Sequence, residues 1–271
     1  MFDGSMTLFT QTSGDGPDLV LVHGWGLNGG IWDTLVPLLE PDFRVTRVDL
    51  PGHGRSAWQE DEGLDGLART VLEQVPERAA WLGWSLGGLV AARAALASPA
   101  RIERLVLVAA TPSFVSRPGW PAAMAPGLFE AFARDLERDY LRTLQRFLVL
   151  QVRGSDAADV VLRALRARLL QYGQPAPEAL MAGLDILRAT DLRARFAGIA
   201  CPVLLLMGAR DTLVPAAAAR PAADLLPDAR VELVDGAGHA PFLARPAAVA
   251  GIIGDFLQPM RAGFAGERHA G

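Results

Sequence analysis

Ala80-Trp81-Leu82-Gly83-Trp84-Ser85-Leu86-Gly87-Gly88-Leu89-Val90-Ala91 reads as a strand, a sharp turn and the start of a helix. The apolar run ends at Gly83, and a pattern of small and apolar residues suited to a helix starts at Gly87. Between them stands Gly-x-Ser-x-Gly, the pattern of a turn that lifts a serine hydroxyl above the end of a sheet. Its glycines are needed because neighbouring side chains would clash in so tight a bend. The five residues alone are moderately specific. Their place after a strand and before a helix makes the signal strong and marks Ser85 as a candidate nucleophile.

On either side of this turn, residues 19–23, 44–49, 104–109, 203–208 and 230–234 also read as strands, with 80–83 as the one feeding the turn. Several are near-continuous runs of Leu, Val, Ala or Met, which suits strands covered on both faces of a parallel sheet. Helix candidates at 64–74, 87–97 and 220–226 lie between them, giving a β-α-β rhythm. Residues 6–11 are expected to add an antiparallel hairpin partner at the edge. The fold class is therefore α/β, a mostly parallel central sheet flanked by helices.

The rhythm breaks at 114–187, where the pattern is purely helical. Residues 128–152 keep apolar side chains at a helical period and predict one long helix, followed by helices at 160–170 and 178–187. This segment reads as a helical lid inserted into a core formed by 1–113 and 188–262. Residues 263–271 lack a pattern and read as a disordered tail.

A serine needs a base. Of the four histidines, His239 follows the last strand candidate, and the chain order Ser…Asp…His selects it. The acid should end an earlier strand. Asp211, in the turn after 203–208, meets that requirement, whereas Asp235 lies too close to the strand bearing the histidine loop to fold back. Asp211 would hold the imidazole in one tautomer. These features point to the α/β-hydrolase fold. The backbone N–H groups of Leu86 and of Trp25, in the loop after 19–23, are the expected oxyanion donors. Trp84, beside the nucleophile, is open to two readings: packing, or shaping an acyl pocket. Met124, Phe129 and Phe132 read as lid anchors, and Cys201 as a core residue.

The rest of the sequence narrows the class by exclusion. Its 271 residues with 51% apolar content suit one large globular domain. The net charge of −4 argues against nucleic-acid binding. No apolar run is long enough to span a membrane, and the start lacks signal-peptide character. With a single cysteine, these features predict a cytoplasmic protein without disulfides. No cofactor is expected: metal-ligand spacing is missing, and the glycines after residue 23 do not match a dinucleotide fingerprint. Every basic residue is arginine, so the choice of arginine over lysine carries no meaning at any one site.

The motifs around these residues resemble a narrower family. His23-Gly24-Trp25-Gly26-Leu27-Asn28, Gly83-Trp84-Ser85-Leu86-Gly87-Gly88, Arg146-Phe147-Leu148 with Leu150-Gln151, Asp191-Leu192-Arg193 and Gly238-His239-Ala240-Pro241-Phe242 are together similar to the pimeloyl-[acyl-carrier-protein] methyl ester esterases of biotin synthesis. The resemblance implies hydrolysis of a carrier-bound methyl ester by Ser85, Asp211 and His239. It implies that Trp25, Ser85, Leu86, Phe147, Leu148, Val149, Leu150, Gln151 and His239 line the acyl site. The partner would be an acidic acyl carrier protein, which a basic lid would help to dock. The lid segment holds nine arginines against eight acids. Arg134, Arg138, Arg142 and Arg146 would form one stripe on the long helix, with Arg163 beyond it; alternatively, Glu130, Asp135 and Asp139 neutralise that stripe by local pairing. Arg138, Arg142, Arg146 and Arg163 are the expected docking residues, on a monomer. A generalist short-chain carboxylesterase, a carbon–carbon hydrolase or perhydrolase, and a binding protein on the same scaffold are the alternatives.

Overall fold

The structure is a computed structural model that describes residues 8–59 and 63–269, the side chains of 261–269 excepted. Among these residues seven strands form one sheet: β1 (Thr10–Ser13), β2 (Asp18–Val22), β3 (Arg44–Val48), β4 (Ala79–Trp84), β5 (Ile102–Val108), β6 (Val203–Gly208) and β7 (Ala229–Val234). Their order is β1-β3-β2-β4-β5-β6-β7, and only β1 runs antiparallel. The continuous runs in β4 and β6 are buried at every position, as strands covered on both faces must be. The edge strand differs from expectation. It begins at Thr10 and pairs with β3, not in a hairpin with the strand that follows it, while residues 1–7 lie outside those described.

The helices are α1 (Val36–Leu39), α2 (Gly63–Gln74), α3 (Leu86–Ala97), α4 (Pro126–Arg138), α5 (Tyr140–Val152), α6 (Ala158–Leu169), α7 (Pro177–Ala189), α8 (Ala219–Ala223), α9 (Pro241–Ala244) and α10 (Pro246–His269). The helix α10 runs to His269, within the range read as a tail. The helices α4 to α7 come between β5 and β6, where the strand rhythm breaks. The single helix expected over 128–152 is two. Asp139 leaves helical geometry at φ −155°, and its side chain accepts the Arg142 N–H, so it caps α5. The apolar periodicity runs on across this break, which is why it hides the boundary.

Two polar hubs tie the inserted helices to the sheet. Asp49, after β3, accepts the Gly29 N–H at 2.6 Å and the Arg55 Nε–H at 2.7 Å. The Arg55 guanidinium lies between the rings of Phe9 and Tyr172, at 3.7 and 3.8 Å from their centroids. Nearby, the Asn28 side chain donates to the Arg168 carbonyl, and Arg168 pairs with Asp33. The end of α6 and the loop after it are thereby held to the loops at the carboxyl edge of the sheet.

Among the described residues no helix is long and apolar enough to cross a membrane. Cys201, expected in the core, is only partly buried, yet burial pushes its thiol up to about 11.

Candidate active site

The strand β4 delivers Ser85 at φ 55°, ψ −118°, a strained conformation at the mouth of a strand-to-helix turn. The flanking glycines are required by contact. A Cβ on Gly83 would lie 2.2 Å from the Gly87 carbonyl oxygen, and one on Gly87 would lie 2.3 Å from that of Val22. Leu86 opens α3, so its N–H has no carbonyl one turn back to bond. Gly24 packs against the same turn: a Cβ there would meet Ser85 Cβ at 3.3 Å, which sets Trp25 beside the serine.

His239, between β7 and α9, is buried. Its Nε2 lies 3.0 Å from Ser85 Oγ and its Nδ1 lies 2.7 Å from Asp211 Oδ2. A carboxylate only accepts, so Nδ1–H donates to Asp211 and Nε2 is left to accept the serine hydroxyl. The other oxygen of Asp211 accepts the Leu213 and Val214 N–H groups at 2.8 and 3.0 Å. Asp235 is exposed and takes no part. The three residues expected to act together are therefore brought together.

Trp84 is not among the residues that line the apolar cavity beneath α4 and α5. Its indole N–H donates to the His239 carbonyl at 2.8 Å, and its ring packs on Phe242. It fixes the histidine loop from below. From the other side, the Gln151 carbonyl accepts the His239 N–H at 3.0 Å. The end of α5 thus touches the main chain of His239 directly, a tertiary contact with no sequence signature.

Beneath α4 and α5 lies a cavity of about 620 Å³, lined mostly by apolar side chains. Buried Trp25, Leu213 and Phe147 form its inner part, and exposed Leu128 and Val149 its outer part. The Trp25 ring packs edge-on against Phe147, and its N–H donates to the Leu180 carbonyl in α7. Of the expected acyl-site residues, Trp25, Phe147, Val149 and Leu150 line the cavity; Ser85, Leu86, Gln151 and His239 are not among its lining residues, and Leu148 turns into the core. Gln151 is buried with neither amide atom bonded. Met124, Phe129 and Phe132, expected only as anchors, also line it, as do Thr212, Leu213 and Arg153. The last three carried a signal: two follow the acid directly, and Arg153 extends the spacing of Arg146 and Leu150 along α5.

The expected arginine stripe is interrupted. Arg138 ends α4, while Arg142 and Arg146 lie on α5 beyond the Asp139 cap. Arg146 pairs with Asp135 at 3.3 Å, and Glu130 pairs with Arg188 rather than with Arg134. Arg142 and Arg163 are exposed.

Behind the Trp25 loop sit two buried histidines. His23 Nδ1–H donates to the Gly24 carbonyl, and its Nε2 accepts the Leu50 N–H. Burial lowers the pKa of His23, and it holds His53 down to about 3. Both are neutral in the fold but titrate near 6.5 when unfolded. Their contribution is complete above that value and is lost as pH falls below it, for His53 down to about 3. The melting temperature should therefore decline between pH 7 and pH 4, and His53→Gln should flatten that decline. A decline of unchanged slope in the variant would contradict the assignment.

This fold and site define the chain as an α/β hydrolase, and the model of the alpha/beta hydrolase family matches residues 19–252. The solved esterase of Exiguobacterium antarcticum superposes with a TM-score of 0.81 at 22% identity, covering 93% of this chain and 95% of that one. A hydrolase from Pseudomonas aeruginosa superposes at 0.76 with 28% identity, covering 94% and 99%. Closer in sequence are two pimeloyl-[acyl-carrier protein] methyl ester esterases. That of Nitrosomonas europaea is 45% identical over 89% of this chain and 95% of its own length. That of Methylococcus capsulatus is 44% identical over 93% and 99%. The chain belongs to the pimeloyl-[acyl-carrier protein] methyl ester esterase family and is a carboxylic-ester hydrolase. The shared name of these relatives does not favour the generalist alternative.

Proposed function

We propose that the protein removes the methyl group from pimeloyl-[acyl-carrier protein] methyl ester, the step of biotin synthesis its family implies. Ser85 Oγ attacks the ester carbonyl while His239 Nε2 takes the hydroxyl proton. The Trp25 and Leu86 N–H groups bond the oxyanion, each worth about 10²–10³ in rate. His239 returns the proton to the leaving oxygen, and methanol departs. Water activated by His239 then cleaves the acyl-enzyme, freeing Ser85 and the distal carboxylate.

The observation that carries this reading is the apolar cavity running from Trp25 to an open rim, a shape suited to a chain held at its far end by a carrier. Residues 114–187 act as the lid over this site. Arg138, Arg142, Arg146 and Arg163 dock the acidic carrier, with the protein working as a monomer in the cytoplasm. Charge reversal at Arg142 and Arg146 together should lower kcat/KM for the carrier-bound ester about tenfold and leave dimethyl pimelate within twofold. Equal losses on both substrates would refute the docking role.

A further inference from the structure

The wall of the cavity carries three charged side chains, Asp135, Arg146 and Arg153. Asp135 and Arg146 neutralise each other across the gap between α4 and α5. Arg153 has no carboxylate partner among the described residues. The acid nearest to it in sequence, Asp156, is committed to Arg210. Arg146, Leu150 and Arg153 fall on one face at the end of α5, two helical turns from first to last. Arg153 is therefore the one charged side chain on the cavity wall without an opposite charge paired to it among the described residues.

That cation is close to the chemistry. Arg153 is two residues past Gln151, whose carbonyl accepts the His239 N–H at 3.0 Å. The next residue, Gly154, abuts the backbone of Arg210, the neighbour of Asp211. A molecule with its ester at Ser85 and an apolar chain along Phe147 and Leu150 would bring an anion at its other end to the guanidinium after a chain of only moderate length.

We propose that Arg153 binds the distal carboxylate of free half-esters of dicarboxylic acids, giving the protein a second activity on monomethyl esters of medium-chain diacids. This goes beyond the carrier-linked reaction and rests only on Ser85 as the esterase nucleophile. One water is consumed. The acyl C–O bond breaks, methanol leaves with one proton, and the second carboxylate forms with release of another proton. An exposed guanidinium supports a preference of about fivefold over a neutral ester of the same length.

Dimethyl pimelate tests this in one vessel, because its first hydrolysis makes the half-ester. Chromatography follows diester, monoester and diacid with time, and kcat/KM is measured separately for purified monomethyl and dimethyl pimelate. The wild-type protein should use the monoester about fivefold better per ester group, so that its transient accumulation stays well below that of a protein without the preference. Arg153→Gln should lose that preference through a raised KM for the monoester, which then accumulates; Arg153→Lys should retain part of it. Arg78→Gln, before β4 at the opposite edge of the sheet, should behave as wild type. Accumulation of monoester by the wild-type protein, to the level seen with Arg153→Gln, would overturn the proposal. Failure to cleave either ester would overturn the esterase reading with it.

Discussion

Ser85→Ala is expected to lower ester hydrolysis about 10⁴- to 10⁶-fold without loss of the fold. The substitution removes the one oxygen at 3.0 Å from His239 Nε2. It leaves the turn as it was, because alanine occupies the same volume and the strain at φ 55° belongs to the backbone. The oxyanion donors are main-chain groups and survive, so the residual rate stays above that in water. The check is kcat on dimethyl pimelate beside near-ultraviolet circular dichroism of both proteins. Activity within tenfold of wild type in a folded variant would contradict the role of Ser85.

Asp211→Asn should cost about 10⁴-fold in kcat with little change in KM or melting temperature. The reason lies in how the carboxylate is held. One oxygen accepts the Leu213 and Val214 N–H groups, so the carbonyl of an asparagine must stay there. Its NH₂ then faces His239 Nδ1 in place of an acceptor. The imidazole must present a lone pair at Nδ1 and carry its proton on Nε2, where it can no longer take the proton of Ser85. Asp235→Asn is the companion variant. Its side chain is exposed, and it should retain wild-type kcat. The reverse ranking would move the acid to the position rejected from the sequence.

The sheet was legible because burial on both faces leaves a plain mark. The runs in β4 and β6 contain nothing that would tolerate water. The turn at Ser85 was legible because its glycines answer to backbone contacts of 2.2 and 2.3 Å. Chain order and strand ends were enough to choose His239 and Asp211. The break at Asp139 was not, since the apolar face of α4 continues into α5 and the only sign is one capping side chain. That break matters for function, because it divides a stripe of arginines expected on one helix between two. The antiparallel edge strand was legible but its range and pairing partner were not, as four residues with little burial leave weak periodicity. What could not be read at all were contacts made by the main chain across the fold. The Gln151 carbonyl holds His239 from above and the Trp84 indole holds its carbonyl from below. Neither bond depends on a motif near the histidine.

The proposed substrate offers two bonds, the methyl ester and the carrier thioester, and the central claim is which of them is cut. Incubation with pimeloyl-[acyl-carrier protein] methyl ester, read by intact-mass spectrometry of the carrier, decides it. The prediction is a carrier lighter by one methylene, with its thioester intact and one methanol released, and an unchanged carrier with Ser85→Ala. A carrier that keeps its methyl ester, or that loses the whole acyl chain, would contradict it.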